Sequence, residues 1–444
     1  MSTTTTRPPM GADGRDPGGS SGALTARVSL GRVFAPVPLE FLLVASSALL
    51  LTGFGIVMVT SATTATSLSA GKSPYNDGMQ QAIFALLGVA VMFAASRLPV
   101  RFFRRIAWVL LIVAVLVQLL VFTPLGFESG GNRNWINIGG FSAQPSELLK
   151  LALAIWVAAI VYRKRDLLTR MMHVYVPIVP VAGLAILTVL AGSDLGTSMV
   201  LVLILLGTLF FGGVRLRFFV PLVVVGAVAV LLLAVKSPNR MQRIMSFIDP
   251  NCDYHDECYQ PLHGIWGLAS GGVFGVGLGN STEKYSWLPA IGDDYIFAIV
   301  GEEVGLIGCV VVLALFGVLA VGAFRVIRGS DDLFVKVASG GIIVWILGQA
   351  LINIGVVLRV FPVLGVPLPF MSAGGSSLVS VLAACGVLLA FSRSLPARAP
   401  AGAARKAAAG RRAKSEGTQT IPRRTTPPAP PATTSRPRTG RKNK

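Results

Sequence analysis

The chain has 444 residues, 53% of them hydrophobic and 13% charged, with a mean hydropathy of +0.69. Soluble domains carry nearer ~25% charge, so the composition excludes an ordinary soluble enzyme. The formal net charge of +19 does not mark a nucleic-acid binder either, because thirteen Lys or Arg stand against the single acid Glu416 in one proline-rich tail, Pro396 to Lys444, a composition that cannot build a core.

The first 35 or so residues are rich in Gly, Thr and Pro and lack the short apolar core of a cleavable signal peptide, so the first span is expected to direct insertion. Apolar stretches of about 17–25 residues, each able to cross a ~30 Å hydrocarbon core, then recur at roughly 39–61, 80–96, 106–123, 146–162, 174–191, 196–213, 217–235, 294–323, 335–358 and 374–393. Lipid offers no partner to free backbone groups, so such spans must be helices; a barrel would need short alternating strands, and none is visible. The expected fold is an all-α polytopic membrane protein with ten transmembrane helices (38–394). A disordered extension (1–37) and a disordered basic tail (395–444) flank it. No tandem repeat of fixed period is present.

Alternate loops are basic: Arg97, Arg101, Arg104 and Arg105; Arg163, Lys164, Arg165 and Arg170; Arg215 and Arg217; Arg325, Arg328 and Lys336. The positive-inside rule makes these loops cytoplasmic, and with them both termini. The extracytoplasmic segments are then 62–79, 124–145, a tight turn at Ser193–Asp194, 236–293 and 359–373. The longest, between spans seven and eight, is too long to be a mere connection.

That loop holds the stretch around which the chain is organised, Gly271 to Gly305. It starts as a glycine-rich, water-facing loop and ends by driving four carboxylates into an apolar run. Asp293 and Asp294 stand at its mouth, and Glu302 and Glu303 about two turns inside, where ionisable groups are costly and functional by default. Asp294 opens an apolar helix, so burial should raise its pKa and the helix dipole lower it. It is either a simple cap or a general base toward a sugar hydroxyl. Glu302 and Glu303 must find partners on another span, in a structural or pKa-setting role. Upstream, Cys252 and Cys258 sit on the oxidising side in NCDYHDECYQ. They form a disulfide, bind a metal together with His255, Asp253 and Asp256, or remain free thiols. Cys309 and Cys385 read as packing residues within spans.

Four further constellations carry chemistry. In GNRNWINIGGFSAQPSELLK, Arg133 and Trp135 face water. Glu147 and Lys150, spaced i, i+3 on one helix face, form either a structural ion pair or a polar site for an anionic head group. Asp194 is placed to cap span six. Arg243, with Lys236 and Arg240 nearby, either clamps phosphate or belongs to a solvated interfacial helix. In NIGVVLRVFPVLGVPLPFMSAGGSSLVS, three prolines and a glycine imply a re-entrant or broken loop, tolerated only where it lines a cavity or is buried in protein. Ser372, Gly374, Gly375, Ser376 and Ser377 then offer an anion site at a helix N-terminus, unless the glycines serve packing alone. Lys284 and Asn353 complete the substrate-binding candidates.

With these residues in view, the chain resembles the FtsW/RodA/SpoVE family of bacterial shape, elongation, division and sporulation proteins over roughly 38–394. Five ordered strings carry the likeness: NWINIGGFSAQPSELLKLAL, SDLGTSMVL, SGGVFGVGLGNS, DDYIFAIVGEEVGLIG and QALINIGVVLRVFPVLGVPLPFMSAGGSSL. The resemblance implies ten membrane helices, peptidoglycan glycosyltransferase activity on lipid II, and a class B penicillin-binding protein as partner. It places the family's catalytic aspartate at Asp294, its Ser-Glu-x-x-Lys pair at Glu147 and Lys150, its Gly-Glu-Glu at Glu302 and Glu303, and its tryptophan at Trp135. The sequence departs from the family at Asn134, at Ser193, at Ala373, and at Pro289–Ala290–Ile291–Gly292–Asp293, where a glutamate and a histidine are missing.

The long basic tail and polar extension favour the division branch over the elongation branch, with the tails as docking segments for other divisome proteins. Three readings of function follow: a polymerase of glycan strands with Asp294 as base, a flippase for lipid II, and a non-catalytic scaffold. A flippase needs a polar path through the whole bilayer, and the carboxylates cluster toward the outer half. No protein metal site is expected. Mg or Mn could assist as a divalent cation, and membrane lipid, not nucleic acid, is the surrounding partner. The expected location is the bacterial plasma membrane, at the division septum.

Overall fold

The computed structural model describes residues 37–396, except positions 140, 169, 237, 249–252, 254–257 and 286–291. The N-terminal extension before residue 37, the basic tail after 396, and Cys252, His255 and Asp256 lie outside the described residues. Twelve helices are described: α1 (Leu39–Ser69), α2 (Asn76–Ala95), α3 (Val100–Leu119), α4 (Pro145–Arg163), α5 (Met171–Ala191), α6 (Leu195–Phe211), α7 (Phe219–Lys236), α8 (Pro238–Ile248), α9 (Tyr259–Gly271), α10 (Ile296–Gly329), α11 (Leu333–Val357) and α12 (Gly375–Arg393).

Eight of these are long and apolar enough to cross a membrane; α6 and the first part of α7 are apolar but shorter. Together these ten follow the expected spans in order. Burial sorts them by place. On α3 the stripe Phe103, Ala107, Leu111, Ala114 and Gln118 is buried, while Val109, Ile112, Val113 and Leu116 on the opposite face are exposed, as a helix between protein and lipid requires. α4 is buried almost all round from Pro145 to Val161 and is the hub, packed by α3, α6 and α11. α1 packs on α2 and α10, and α12 on α2.

The segment 124–145, expected as an extracytoplasmic loop, is not plain loop. It folds into a three-stranded antiparallel sheet, β1 (Gly126–Ser129), β2 (Asn132–Ile138) and β3 (Phe141–Ala143), in the order β1-β2-β3. Ser129 pairs with Asn132 across Gly130 and Gly131, whose φ values of 59° and 79° are those of a two-residue hairpin turn. The all-α expectation misses it, although Gly-Gly between two polar-aromatic runs is the available signal.

Residues 358–374 form the expected re-entrant connection. The Phe370 ring lies 6.2 Å from that of Phe316, well down α10, and the Phe370 carbonyl passes so close to Gly55 of α1 that a side chain there would meet it at 2.5 Å. Val366, Leu368, Phe370, Met371 and Ser372 are buried, so this non-helical backbone runs inside protein. α9 docks on α10 through Gly264, Gly267 and Gly271, one face at spacings of three and four. A Cβ at Gly264 would strike the Tyr295 ring, and one at Gly271 the Gly301 carbonyl.

Candidate functional site

The N-terminal end of α10 is where Asp294, Asn353 and Ser372 meet, within reach of the Arg243 and Asp194 charges. α10 begins at Ile296, with Tyr295 at its N-cap position and no side-chain cap. The capping alternative for Asp294 is therefore corrected: Asp294 lies in the turn before the helix, leaving its carboxylate for other work. That turn is held by its backbone. The Gly292 carbonyl accepts from Ala373 N at 2.7 Å, the Asp293 carbonyl accepts from Ser372 Oγ, and the Asp294 carbonyl accepts from Asn353 Nδ2 at 2.7 Å. Asn353 also donates to Val366 O at 2.8 Å, and Ser372 Oγ accepts from Leu368 N at 2.7 Å. Three consecutive carbonyls are thus fastened to α11 and the re-entrant segment, which fixes where both carboxylates stand.

Asp293 is exposed and Asp294 half-buried by area, with protein packed closely around both. Burial pushes Asp294 up to about 6; the Arg243 guanidinium pulls it down and Asp194 adds to the rise. Burial, then the neighbouring Asp294 and Asp77, push Asp293 up to about 7. Because both carboxyls keep some exposure to water, solvent moderates these shifts, but the upward direction and its main cause, desolvation, hold. Tyr295 beside them is fully buried, and burial drives its phenol pKa upward.

Arg243 is exposed on α8 and shares a shallow cleft with Arg359, Phe247, Pro261, Phe361 and Pro362. Arg359, which sequence reasoning missed, donates to Ser246 O at 3.3 Å and pins α8 to the re-entrant segment. The two guanidiniums make the basic wall of the site.

Asp194 caps α6 as expected, accepting from Thr197 N at 2.9 Å. It is also buried and accepts from Asn134 Nδ2 at 2.8 Å and Gln144 Nε2 at 3.0 Å, so it ties β2 and the start of α4 to α6. Glu147 and Lys150 pair at 2.8 Å with side chains only 1% exposed, which places them away from any cleft. Lys150 Nζ reaches Gln349 at 2.9 Å, and Gln349 Nε2 donates to Pro367 O at 2.8 Å. The buried pair therefore braces, through one glutamine, the same segment that Asn353 ties to Asp294.

Other candidates fall outside the cleft. Arg133 spends its guanidinium on the Val121 and Thr123 carbonyls at 2.9 and 3.1 Å, and Trp135 stacks on Phe127. Glu302 accepts from Ser281 Oγ at 2.5 Å, Thr282 N at 2.7 Å and Thr282 Oγ1 at 2.9 Å. Its partners come from the glycine-rich segment, correcting the expectation of another span. Glu303 does find one, Ser61 of α1 at 2.7 Å. Lys284 is buried 3.9 Å from Glu303 and donates to Gly279 O. At α12, Gly374, Gly375, Ser376 and Ser377 are half-buried, and Ser376 Oγ accepts from Gln144 N at 3.0 Å. Cys258 is disulfide-bonded, while Cys309 and Cys385 are free and buried. Among the described residues no three His, Cys, Asp or Glu side chains are gathered to hold a metal ion.

Sequence reasoning also missed Gln81, which donates from Nε2 to Ser372 O at 3.1 Å, and Gln349. Each is a polar residue in an apolar span, which was the signal available.

A family of cell cycle proteins that takes in FtsW, RodA and SpoVE matches residues 41–396. The probable peptidoglycan glycosyltransferase FtsW of Mycobacterium tuberculosis (strain ATCC 25618 / H37Rv) is 35% identical over 384 residues, covering 86% of this chain and 73% of that protein. Stage V sporulation protein E of Bacillus subtilis (strain 168) is 36% identical over 355 residues, covering 80% and 97%. Two solved structures share the fold at 24% identity, each over 79% of this chain and 96% of the other. They are the Thermus thermophilus rod shape determining protein RodA, with a TM-score of 0.60, and a chain of a peptidoglycan synthase complex that coordinates polymerization and crosslinking, with a TM-score of 0.64.

Proposed function

The chain belongs to the FtsW/RodA/SpoVE family of cell cycle proteins, and from that premise we propose that it is a peptidoglycan glycosyltransferase that polymerises lipid II into glycan strands during septal wall synthesis. The observation that carries the proposal is Asp294: a half-buried carboxylate raised by burial, within reach of the Arg243 charge, on a turn whose three carbonyls at 292–294 are fastened. A general base needs a fixed position first and a pKa near the working pH second, and this residue has both.

In the reaction Asp294 accepts the proton of the acceptor sugar hydroxyl as that oxygen bonds to the donor's anomeric carbon. The bond from that carbon to undecaprenyl pyrophosphate breaks, and the electron pair leaves with the phosphate. Arg243 and Arg359 supply positive charge where the leaving group gains negative charge. A divalent cation, Mg or Mn, would come with the donor pyrophosphate. The partner is a class B penicillin-binding protein supplying transpeptidation; the fold shared with a chain of a peptidoglycan synthase complex supports this. The division branch is supported by relatives named FtsW. Ten spans and cytoplasmic termini rest on the alternation of basic loops; septal location and divisome docking through the tails complete the reading.

The flippase alternative is tested in detergent, where there are no two sides to translocate between. Polymer formed there from purified lipid II by the chain with its partner is the expected result. Its absence from a preparation that moves lipid II across vesicles would replace the polymerase reading.

A further inference from the structure

Gly305 divides α10 into two unlike parts. Before it, Ile296–Glu303 is buried on every side; after it, Leu306, Ile307, Val310, Val311 and Leu313 are exposed. At Gly305 the helix is broken, with φ 73°. In an unbroken helix the Leu306 and Ile307 amides would donate to the Glu302 and Glu303 carbonyls. Here Leu306 N donates to Gly272 O at 2.9 Å and Ile307 N to Val273 O at 3.3 Å, while Val276 N donates to Glu302 O at 2.9 Å and Gly277 N to Glu303 O at 3.0 Å. The segment 272–277 has taken over both sides of the interrupted ladder. Only glycines allow so close an approach: a Cβ at Gly275 would collide with Glu303 O, and one at Gly305 with Gly275 N.

The side chains of that segment then have nowhere to go but outward. From Gly271 to Gly279 there is no charged or polar side chain, and Val273, Phe274, Val276 and Leu278 are exposed, Phe274 at 81%. They adjoin the exposed face of α10 through the bonds to Leu306 and Ile307. Depth follows from the other end of the helix. Arg325, paired with Glu40 at 3.1 Å, is the first charge of the basic end of α10. A ~30 Å hydrocarbon core takes about 20 helical residues, and counting back that far from Arg325 arrives at Gly305.

We infer that residues 271–279 are a lipid-inserted wedge: the exposed side chains of Val273, Phe274, Val276 and Leu278 pack against acyl chains at the outer edge of the hydrocarbon core, and their backbone braces the break in α10. This replaces the water-facing loop expected from the sequence. It sets Glu302 and Glu303 just above the hydrocarbon, enclosed by protein. The occupant is the bilayer because the patch is wholly apolar and continues the exposed apolar side of a span, to which four backbone hydrogen bonds join it.

The test is collision accessibility of a nitroxide on the full-length protein in lipid nanodiscs. The label is placed at Phe274→Cys, with Val310→Cys as the lipid reference and Glu128→Cys as the aqueous one; the unsubstituted chain, in which the free cysteines among the described residues, Cys309 and Cys385, are buried, gives the baseline. Oxygen concentrates in hydrocarbon and a nickel chelate in water. The expected result is an oxygen-to-nickel ratio at 274 that matches 310 and exceeds 128 several-fold. A ratio at 274 matching 128 would overturn the inference, as would a site that neither reagent reaches, since that would mean a protein surface covers it. The readout does not depend on activity, so it stands or falls apart from the glycosyltransferase reading.

Discussion

On the proposed reading, Asp294 illustrates how much of a general base's placement lies outside its own side chain. Its carboxyl has one basic neighbour acting on its charge, Arg243, but its position depends on Asn353 and, through the adjacent carbonyl, on Ser372. Neither side chain needs to touch substrate to matter. Asn353→Ala and Ser372→Ala are expected to lower kcat for polymerisation at least about tenfold, since small misplacements of a reacting group are costly, with KM for lipid II nearly unchanged and Ser372→Thr largely restoring the rate. A shared fall in kcat and thermal stability, or a change confined to KM, would assign them another role. The pH profile is a second check. A base must be ionised, and a carboxyl raised to about 6 loses that form as pH falls through that value. The acid limb of kcat is therefore expected near pH 6. Arg243→Gln removes the charge that lowers this pKa, so it should move the limb to higher pH.

At the scale of elements, the buried pair on α4 and the break in α10 make opposite demands. Removing one partner of the Glu147–Lys150 pair leaves an uncompensated charge in the core, and breaking such a pair costs about 3–5 kcal/mol. Lys150→Met should accordingly lower the unfolding temperature in detergent strongly, and Glu147→Leu with Lys150→Met should recover much of the loss. If the double variant is worse than the single one, Lys150 has a role beyond neutralising Glu147. On α10, Gly305 and Gly317 lie in the same helix, yet only Gly305 has a left-handed φ and neighbouring backbone in the space that a Cβ would need. Gly305→Ala should compromise folding, whereas Gly317→Ala, with open space around it, should be neutral or gain up to ~1 kcal/mol. Yield and melting temperature of the two proteins decide it.

For the whole molecule, the legible part is the part set by lipid. The apolar helices come directly from hydropathy, because a bilayer imposes length on each span independently. Asp194 as a cap and the i, i+3 pair on α4 are local geometry and can be read the same way. What escapes is non-local. Gln81 and Gln349 take their meaning from the carbonyls of Ser372 and Pro367, hundreds or tens of residues away. Arg359 matters because Ser246 is beside it. Arg133 has the sequence context of an anion site, but its guanidinium is spent on the Val121 and Thr123 carbonyls. The resulting molecule brings Asp194, Arg243 and Asp294 within electrostatic reach of one another, with Glu302 and Glu303 further along α10, held by the glycine-rich segment and α1. A transporter would need such groups along the full depth.

The measurement that bears most directly on this account is glycan-strand synthesis from purified lipid II by the chain co-purified with its penicillin-binding partner. Wild type and Asp294→Asn are compared at matched folding and partner binding. The expected outcome is polymer from wild type and a loss of at least about 100-fold in the variant, the lower range of what a general base contributes. Equal polymer from both would contradict the account, removing Asp294 from the chemistry and leaving Asp293 as the carboxylate to examine next.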